Sequence, residues 1–401
     1  MKFTTQAKDS NLRKILKKVS EQQTSTRAEL AKQLGISPAT MSAHVELLIE
    51  LGYLRFGSEG RSSGGRKPVT LEINPNSILV VGVSVLKHDA VASLVNLQGD
   101  VIGRHHQVYK LPITEDVILD AVFTCIKHVM EYAPNPADVA GIGVGMHGVV
   151  NYSDGTLIHS PAHGWRNVAV REIMQNEYHL PVYVDNDMRV NILAEKWFGK
   201  YRTLKTYLYL GLDEGIGGGI IINGMIYRGD TQAAGEVGHI RVKENGALCI
   251  CGNYGCLETL ASIQSILDSA LTKIRLGYSS SLLEKIGGKG LDNITFEMLV
   301  DAAKDNDPLC LEVFREVGMY VGIALAGILN FFNPEAVIIG GRVTDAWRYL
   351  KTPIRETVKR QSMPECAASV QILKASFPGM SGDLGAAALY IDHLFEEKIM
   401  Y

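Results

Sequence analysis

The sequence predicts an α/β protein: two similar lobes of strands and helices, preceded by a small helical head. Three observations predict it. Beyond Leu71 the chain turns into short apolar strands punctuated by glycine, in two matching sets, 79–85, 90–97 and 101–109, then 206–212, 218–222 and 225–228. Each set is followed by helical stretches and further strands, among them 139–144 and 337–339, and such a twofold repeat places two α/β lobes around a cleft. The 401 residues, 46% of them hydrophobic, suffice for two or three domains with their own cores. The expected boundaries are 1–70 for the head, 71–190 for the first lobe with a C-terminal helix over 381–401, and 191–380 for the second lobe, which also carries an oligomerisation surface.

The head reads as three helices and a hairpin. Leu12, Ile15, Leu16 and Val19 recur at helical spacing. Thr26-Arg27-Ala28-Glu29 is a capping box, in which the threonine accepts from the third amide and the glutamate reaches back. That helix runs through Leu30, Ala31 and Leu34, and Gly35 ends it in a left-handed turn. Ser37 caps a third helix with Pro38 at its first position, where no amide bond is lost; Met41, Val45 and Leu48 are its buried stripe. Two helices joined at Gly35-Ile36 have the helix-turn-helix arrangement. Tyr53-Leu54-Arg55-Phe56, the Gly/Ser-rich 57–65 and Arg66-Lys67-Pro68 fit a β-hairpin wing with a basic tip.

Charge separates the head from the rest. Residues 1–70 hold twelve Lys/Arg against six Asp/Glu, although the whole chain carries −3. A basic head on an acidic body points to a polyanion partner for the head alone. Ser37, Thr40, Ser42 and Ala43, at the start of the third helix, are placed for a major groove, with Thr40, Ser42 and Ala43 the candidates for base edges. Arg61, Arg66 and Lys67 on the wing would reach phosphates or a narrow minor groove. A small helical interaction module is the plainer reading of three helices. The capped pair, the local charge and the basic wing favour double-stranded DNA.

Residues 1–11 are polar and lack the apolar core of a signal peptide. The longest apolar run, 317–332, contains three glycines, is too short to span a bilayer and reads as a buried helix. The chain is therefore expected in the cytoplasm without membrane insertion, where close cysteines signal a metal rather than disulfides. Three of the six fall within eight residues: Cys249-Ile250-Cys251-Gly252-Asn253-Tyr254-Gly255-Cys256 follows Gly235-Glu236-Val237-Gly238-His239. His239, Cys249, Cys251 and Cys256 supply the four ligands of a closed tetrahedral Zn2+ site, structural because no coordination position stays open. Gly252 and Gly255 let the loop fold back. Free buried cysteines beside a core histidine are the alternative.

The string from Gly235 to Glu258 resembles the zinc signature of the ROK family of repressors, open-reading-frame proteins and sugar kinases, and the similarity runs along essentially the whole chain. Ser62-Ser63-Gly64-Gly65-Arg66-Lys67-Pro68 resembles the wing tip of the family's repressors. Val184-Asp185-Asn186-Asp187 is similar to its catalytic strand end, and Val337-Ile338-Ile339-Gly340-Gly341 to its nucleotide-side strand. Asn186-Asp187-Met188-Arg189, with Ala194-Glu195-Lys196-Trp197-Phe198-Gly199, most resembles the glucose- and N-acetylglucosamine-responsive repressors; xylose-responsive ones are similar in layout. The resemblance implies an actin-like, sugar-kinase-like body behind a winged helix-turn-helix. It also implies sugar contacts from Asn186, Asp187, Glu236, His239 and Glu258, with His239 offering one nitrogen to zinc and the other to a hydroxyl. Several fixed donors and acceptors at the mouth of a cleft are what a pyranose needs to replace its hydration. Taken singly, Glu236 and Glu258 are ordinary surface carboxylates.

Asp187 resembles the family's catalytic base, but the chain departs from the kinases where phosphate is held. Ser84-Val85-Leu86-Lys87 stands where they have Asp followed by Gly-Gly-Thr, and Asp213-Glu214-Gly215 where they have Gly-Thr-Gly, putting two carboxylates where ATP would be repelled. Phosphoryl transfer rests on positioning and charge neutralisation, so Asp187 is expected to be a vestigial base and the chain not an enzyme. At Gly145-Met146-His147-Gly148 the family usually has proline before the second glycine, which leaves His147 between a ligand contact and a structural role. The expected function is repression of carbohydrate uptake and catabolism genes by a homodimer or homotetramer on a palindromic operator, released by a sugar or sugar phosphate. The rivals are an ATP-dependent sugar kinase with a DNA-binding module, and a repressor controlled by a sugar-transport protein.

Overall fold

A computed structural model describes residues 10–59, 69–377 and 381–395 of the chain. The chain divides into two compact units: one runs to Thr203 and takes the chain back from Gly382, and the other is Leu204–Ser381.

The first unit opens with the head. Helix α1 (Ser10–Gln22) buries Leu12, Ile15, Leu16 and Val19. Helix α2 (Arg27–Leu34) starts on the expected capping box, with the Glu29 amide donating to Thr26 Oγ1 at 3.2 Å and the Thr26 amide to Glu29 Oε2 at 2.8 Å. Gly35 closes it at φ 65°, and Ser37 opens α3 (Pro38–Glu50), which buries Met41, Val45 and Leu48. Strands β1 (Leu54–Glu59) and β2 (Val69–Ile73) pair antiparallel, and Leu71 also bridges Ser25. Helices α2 and α3 are held by their caps and buried apolar residues, and α1 by its apolar stripe, which explains why the local sequence foretells them.

The body of this unit is a five-stranded sheet in the order β10-β6-β3-β4-β5. Strands β3 (Leu79–Val85), β4 (Asp89–Asn96) and β5 (Val101–Val108) are antiparallel; β6 (Val139–Met146) and β10 (Val182–Asn186) lie parallel to β3. Helix α4 (Glu115–Met130) sits between β5 and β6 in the chain, and a small sheet of β7 (Val149–Asn151), β8 (Thr156–Ser160) and β9 (Trp165–Val168) precedes helix α5 (Val170–Tyr178). Alternate residues of β3 serve different faces. Leu79, Val81, Val83 and Val85 join Val122, Ile126 and Val129 of α4 in one core. On the other face comes the closing helix Gly382–Phe395, so near that a Cβ on Gly82 or Gly143 would collide with the carbonyl oxygens of Asp383 and Ala386. Glycine is required there for backbone contact, not for turn geometry.

Helix α6 (Asp187–Trp197) continues directly from β10. Its buried side packs on the same closing helix, and Trp197 Nε1 donates to Asp392 Oδ1 at 2.7 Å. The lobe boundary expected after 190 falls inside this helix, whose packing keeps it whole with the first unit.

The second unit repeats the sheet plan. Strands β11 (Tyr207–Leu212), β12 (Ile216–Ile222) and β13 (Met225–Ile226) are antiparallel, β14 (Ala336–Gly340) and β15 (Gln371–Lys374) lie parallel to β11, and the order is β13-β12-β11-β14-β15. The expected twofold repeat is therefore a repeat of topology. The apolar run 317–332 is the C-terminal part of a 25-residue helix, Pro308–Phe332, buried through Val317, Val321, Leu325 and Leu329. Among the described residues no helix is long and apolar enough to cross a membrane.

Candidate functional site

On the head, the start of α3 presents Thr40 and Ala43 to solvent and leaves Ser42 half-buried. The Ser37 hydroxyl accepts from the Thr40 amide at 3.2 Å and lies 2.8 Å from the Thr40 hydroxyl, so Ser37 holds the helix end and orients Thr40. Leu47, 40% exposed, continues the face that Thr40 and Ala43 begin, at i+7 from Thr40. Sequence reasoning missed it because an apolar residue in a helix reads as core. Arg61, Arg66 and Lys67 lie outside the described residues.

The loop after β13 gathers His239, Cys249, Cys251 and Cys256, with one ligand atom from each all within 4.8 Å of one another. Two local features make the loop return. Gly252 sits at φ 89° in a turn closed by its amide to the Cys249 carbonyl at 2.9 Å. Gly255, at φ 71°, passes so close to the Lys243 carbonyl that any Cβ would collide. Cys251 Sγ and Cys256 Sγ are 3.7 Å apart, and Cys249 Sγ is 3.4 Å from His239 Nδ1. Sulfurs about 2.3 Å from one tetrahedral centre stand about 3.8 Å apart, whereas a disulfide needs about 2.05 Å. The spacing is that of ligands around a cation. Burial pushes the Cys249 thiol up and the Cys256 thiol up to about 12, whereas hydrogen bonding from the Asn253 backbone holds Cys251 down. Without a cation the two buried sulfurs are thiols, and binding a metal releases their protons.

Around this loop, His239 Nε2 faces Glu236 Oε2 at 3.9 Å while Nδ1 faces the sulfurs, so its two nitrogens point to different partners. Glu236 is more than half exposed. Glu258 accepts the Ile216 amide at 3.0 Å and thereby ties the helical turn Glu258–Ala261 to the start of β12.

In the first unit, Asn186 caps α6, its Oδ1 accepting from the Met188 and Arg189 amides at 2.9 and 3.3 Å, and its Nδ2 donates to the Gly148 carbonyl at 3.0 Å. The Asn186 oxygen is thus taken by the helix end and one amide hydrogen by the Gly148 carbonyl, and the same side chain also supports the Asp187 carboxylate. Asp187 is 7% exposed; Oδ1 accepts the Met188 amide at 2.9 Å. Burial raises its carboxyl above the usual range, opposed first by the neighbouring His147.

Of the two loops expected to hold phosphate, the first is a tight turn and the second is closed by the chain itself. Leu86 donates to the Asp89 carbonyl at 2.9 Å in a tight turn between β3 and β4, without glycine or carboxylate at 84–87. At the other loop, Asp213 is buried and clamped by Arg342, whose Nε and Nη2 donate to Oδ1 at 2.9 and 2.7 Å and whose amide donates to Oδ2 at 3.0 Å. Arg342 Nη2 also reaches Glu214 at 3.0 Å. The expectation of two free carboxylates repelling ATP needs correction: one guanidinium serves both, and the loop is closed by an ion pair. Arg342 lies 129 residues beyond Asp213, and the only sequence signal was its place just after the Gly340-Gly341 end of β14.

A winged helix-turn-helix head and a twofold-repeated α/β body with a His/Cys loop define a DNA-binding protein built on a sugar-kinase-like fold. Residues 80–393 match the ROK family and residues 8–55 match a winged helix-turn-helix DNA-binding family; the chain belongs to the ROK family. It is 31% identical over 391 residues to the xylose repressor of Caldicellulosiruptor bescii, covering 97% of each chain. A ROK family transcriptional regulator, homolog of the Escherichia coli MLC protein, superposes with a TM-score of 0.83 at 28% identity, covering 96% of each chain. A ROK family glucokinase from Streptomyces griseus, solved with glucose and AMPPNP, superposes at 0.70 and 30% identity but covers only 78% of this chain. The regulators match head and body together.

Proposed function

We propose that this ROK protein is a sugar-responsive transcriptional repressor that leaves its operator when an aldose occupies the body. One observation carries the reading: a capped helix-turn-helix and a ROK body share one chain, in the layout of a xylose repressor over 97% of both lengths. Asn186, Asp187, Glu236, His239 and Glu258 are the candidate effector contacts, the positions that the family resemblance implies. His239, Cys249, Cys251 and Cys256 hold one structural Zn2+. The protein acts in the cytoplasm as a homodimer or higher homo-oligomer on a two-half-site operator, and xylose is the first sugar to test.

Filter binding to operator fragments tests the head. Affinity is expected to fall at least about a hundredfold from about 50 to about 200 mM salt, because phosphate contacts release counterions. Arg66→Ala weakens all sequences alike, whereas Thr40→Ala changes which bases are preferred. Operator binding that survives deletion of residues 1–70 overturns the assignment.

The rival kinase reading is tested by coupled ATP turnover with glucose, xylose, N-acetylglucosamine and N-acetylmannosamine. Background rates are expected, since Arg342 and Asp213 close the loop that a phosphate would need. Turnover that disappears in Asp187→Asn would establish a kinase. Control by a transport protein would appear as capture of that protein in the absence of sugar.

A further inference from the structure

Three parallel strands of the first unit end side by side. In register, Val85 of β3 pairs with Met146 of β6, and Met146 with Asn186 of β10. The next residues along the three strands are Leu86, His147 and Asp187, a row at the carboxyl ends of the sheet, where open α/β sheets take their ligands. The Asn186 amide bond to the Gly148 carbonyl, 3.0 Å, fixes the chain just after His147 against the start of α6. Gly148, at φ 120°, packs against the His159 carbonyl so closely that a Cβ would clash, so only glycine fits the position after His147.

One histidine of this row, His147, and a second beside it, His163, differ in one respect. His163 is saturated, with Nε2 on the Leu86 carbonyl at 3.0 Å and Nδ1 on the Ser160 hydroxyl at 3.1 Å. His147 is not: its Nδ1 is buried and has no hydrogen-bond partner among the described residues. A buried ring nitrogen left unpaired costs free energy unless something supplies the bond. Asp187 next to it is a buried carboxylate whose Oδ1 is engaged by a backbone amide, and no lysine or arginine is paired with it among the described residues. A carboxylate accepts and an imidazole N–H donates, and one group that satisfies both at once is a hydroxyl, which gives a proton to the first and takes one from the second.

Resting on the effector reading above, we infer that His147 is a specificity-determining residue, its Nδ1 sharing with Asp187 a single hydroxyl of the bound aldose. The bond requires a side chain with a polar atom at the Nδ1 position. An apolar residue at 147 forfeits it, and asparagine, whose amide falls near that position, restores part of it. The consequence is selective: only the hydroxyl held by the pair becomes indispensable because of His147.

The experiment is calorimetric titration of the full-length protein with D-xylose, D-glucose and N-acetyl-D-glucosamine, followed by the monodeoxy analogues of whichever binds. His147→Leu is expected to weaken the parent sugar about tenfold to a hundredfold, and His147→Asn to recover part of the loss. For one deoxy analogue the affinity ratio to the parent sugar should shrink in His147→Leu, where Asp187 alone still holds that hydroxyl, while the ratios of the other analogues stay as in wild type, the coupling expected of two groups that share one bond. Equal losses for the parent and every analogue, or His147→Leu affinity within twofold of wild type, overturn the inference while leaving the effector reading intact. Melting curves without sugar identify a variant that has failed to fold, and His147→Asn then supplies the decisive comparison. If wild type binds none of the three sugars, the effector reading fails, and this inference falls with it.

Discussion

Cys251→Ser is expected to release the zinc and lower the melting temperature by about 10 °C. Cys251 is the exposed one of the three ligand sulfurs, so replacing it removes almost no packing, and a fall in stability reports the metal rather than a cavity. A structural zinc contributes folding free energy directly. The second unit has its own extensive core in β11, β14 and the helix Pro308–Phe332, so a bound metal would tie down one loop rather than the whole unit. A loss of about 3 kcal/mol corresponds to about 6–12 °C for a unit of this size. Metal analysis should find close to one zinc per wild-type chain and little in the variant. Wild-type protein that is fully stable without metal would remove the ion from the account, leaving three thiols and a histidine that merely pack.

The second large effect concerns release. Asp187→Ala and Glu236→Ala are each expected to give a repressor whose operator affinity is the same with and without sugar. In wild type that ratio should be about 5–150-fold, the size of typical coupling between two sites, since an effector acts only through its differential affinity for the bound and released forms. The same variants should lose ligand-induced stabilisation, which in wild type reaches about 2.7 kcal/mol at a hundred times the dissociation constant. Gel shift and thermal shift at matched sugar concentrations measure the two effects independently. A variant that still leaves the operator at the wild-type sugar concentration would mean that the signal enters elsewhere.

Local chemistry is what the sequence by itself determined. The Thr26–Glu29 box, the Ser37 cap and the left-handed Gly35 are interactions within four residues, so the letters specify them and the structure repeats them. The strands of both lobes are visible for the same reason, since a short apolar run bounded by glycine depends on little beyond itself. The His/Cys loop is equally legible: its donors lie within 18 positions, and glycine is demanded at the two places where the chain must reverse.

Tertiary structure decided everything that joins distant positions. Nothing near Gly82 or Gly143 announces that a helix some 240 to 300 residues later will lie against them, because the requirement is set by the approaching backbone. Asp213 and Glu214 read as free carboxylates until Arg342 arrives from the end of β14. Asn186 reads as a ligand residue, and only the helix it caps shows that its oxygen is already engaged. His147 could not be assigned from its neighbours in sequence, since its meaning lies in the register of three parallel strands that end together and in a buried nitrogen that the fold leaves unpaired. Residue type and short-range spacing determine which groups are present and how each segment folds; which of those groups remain available to a ligand depends on partners that only the folded chain brings within hydrogen-bond reach.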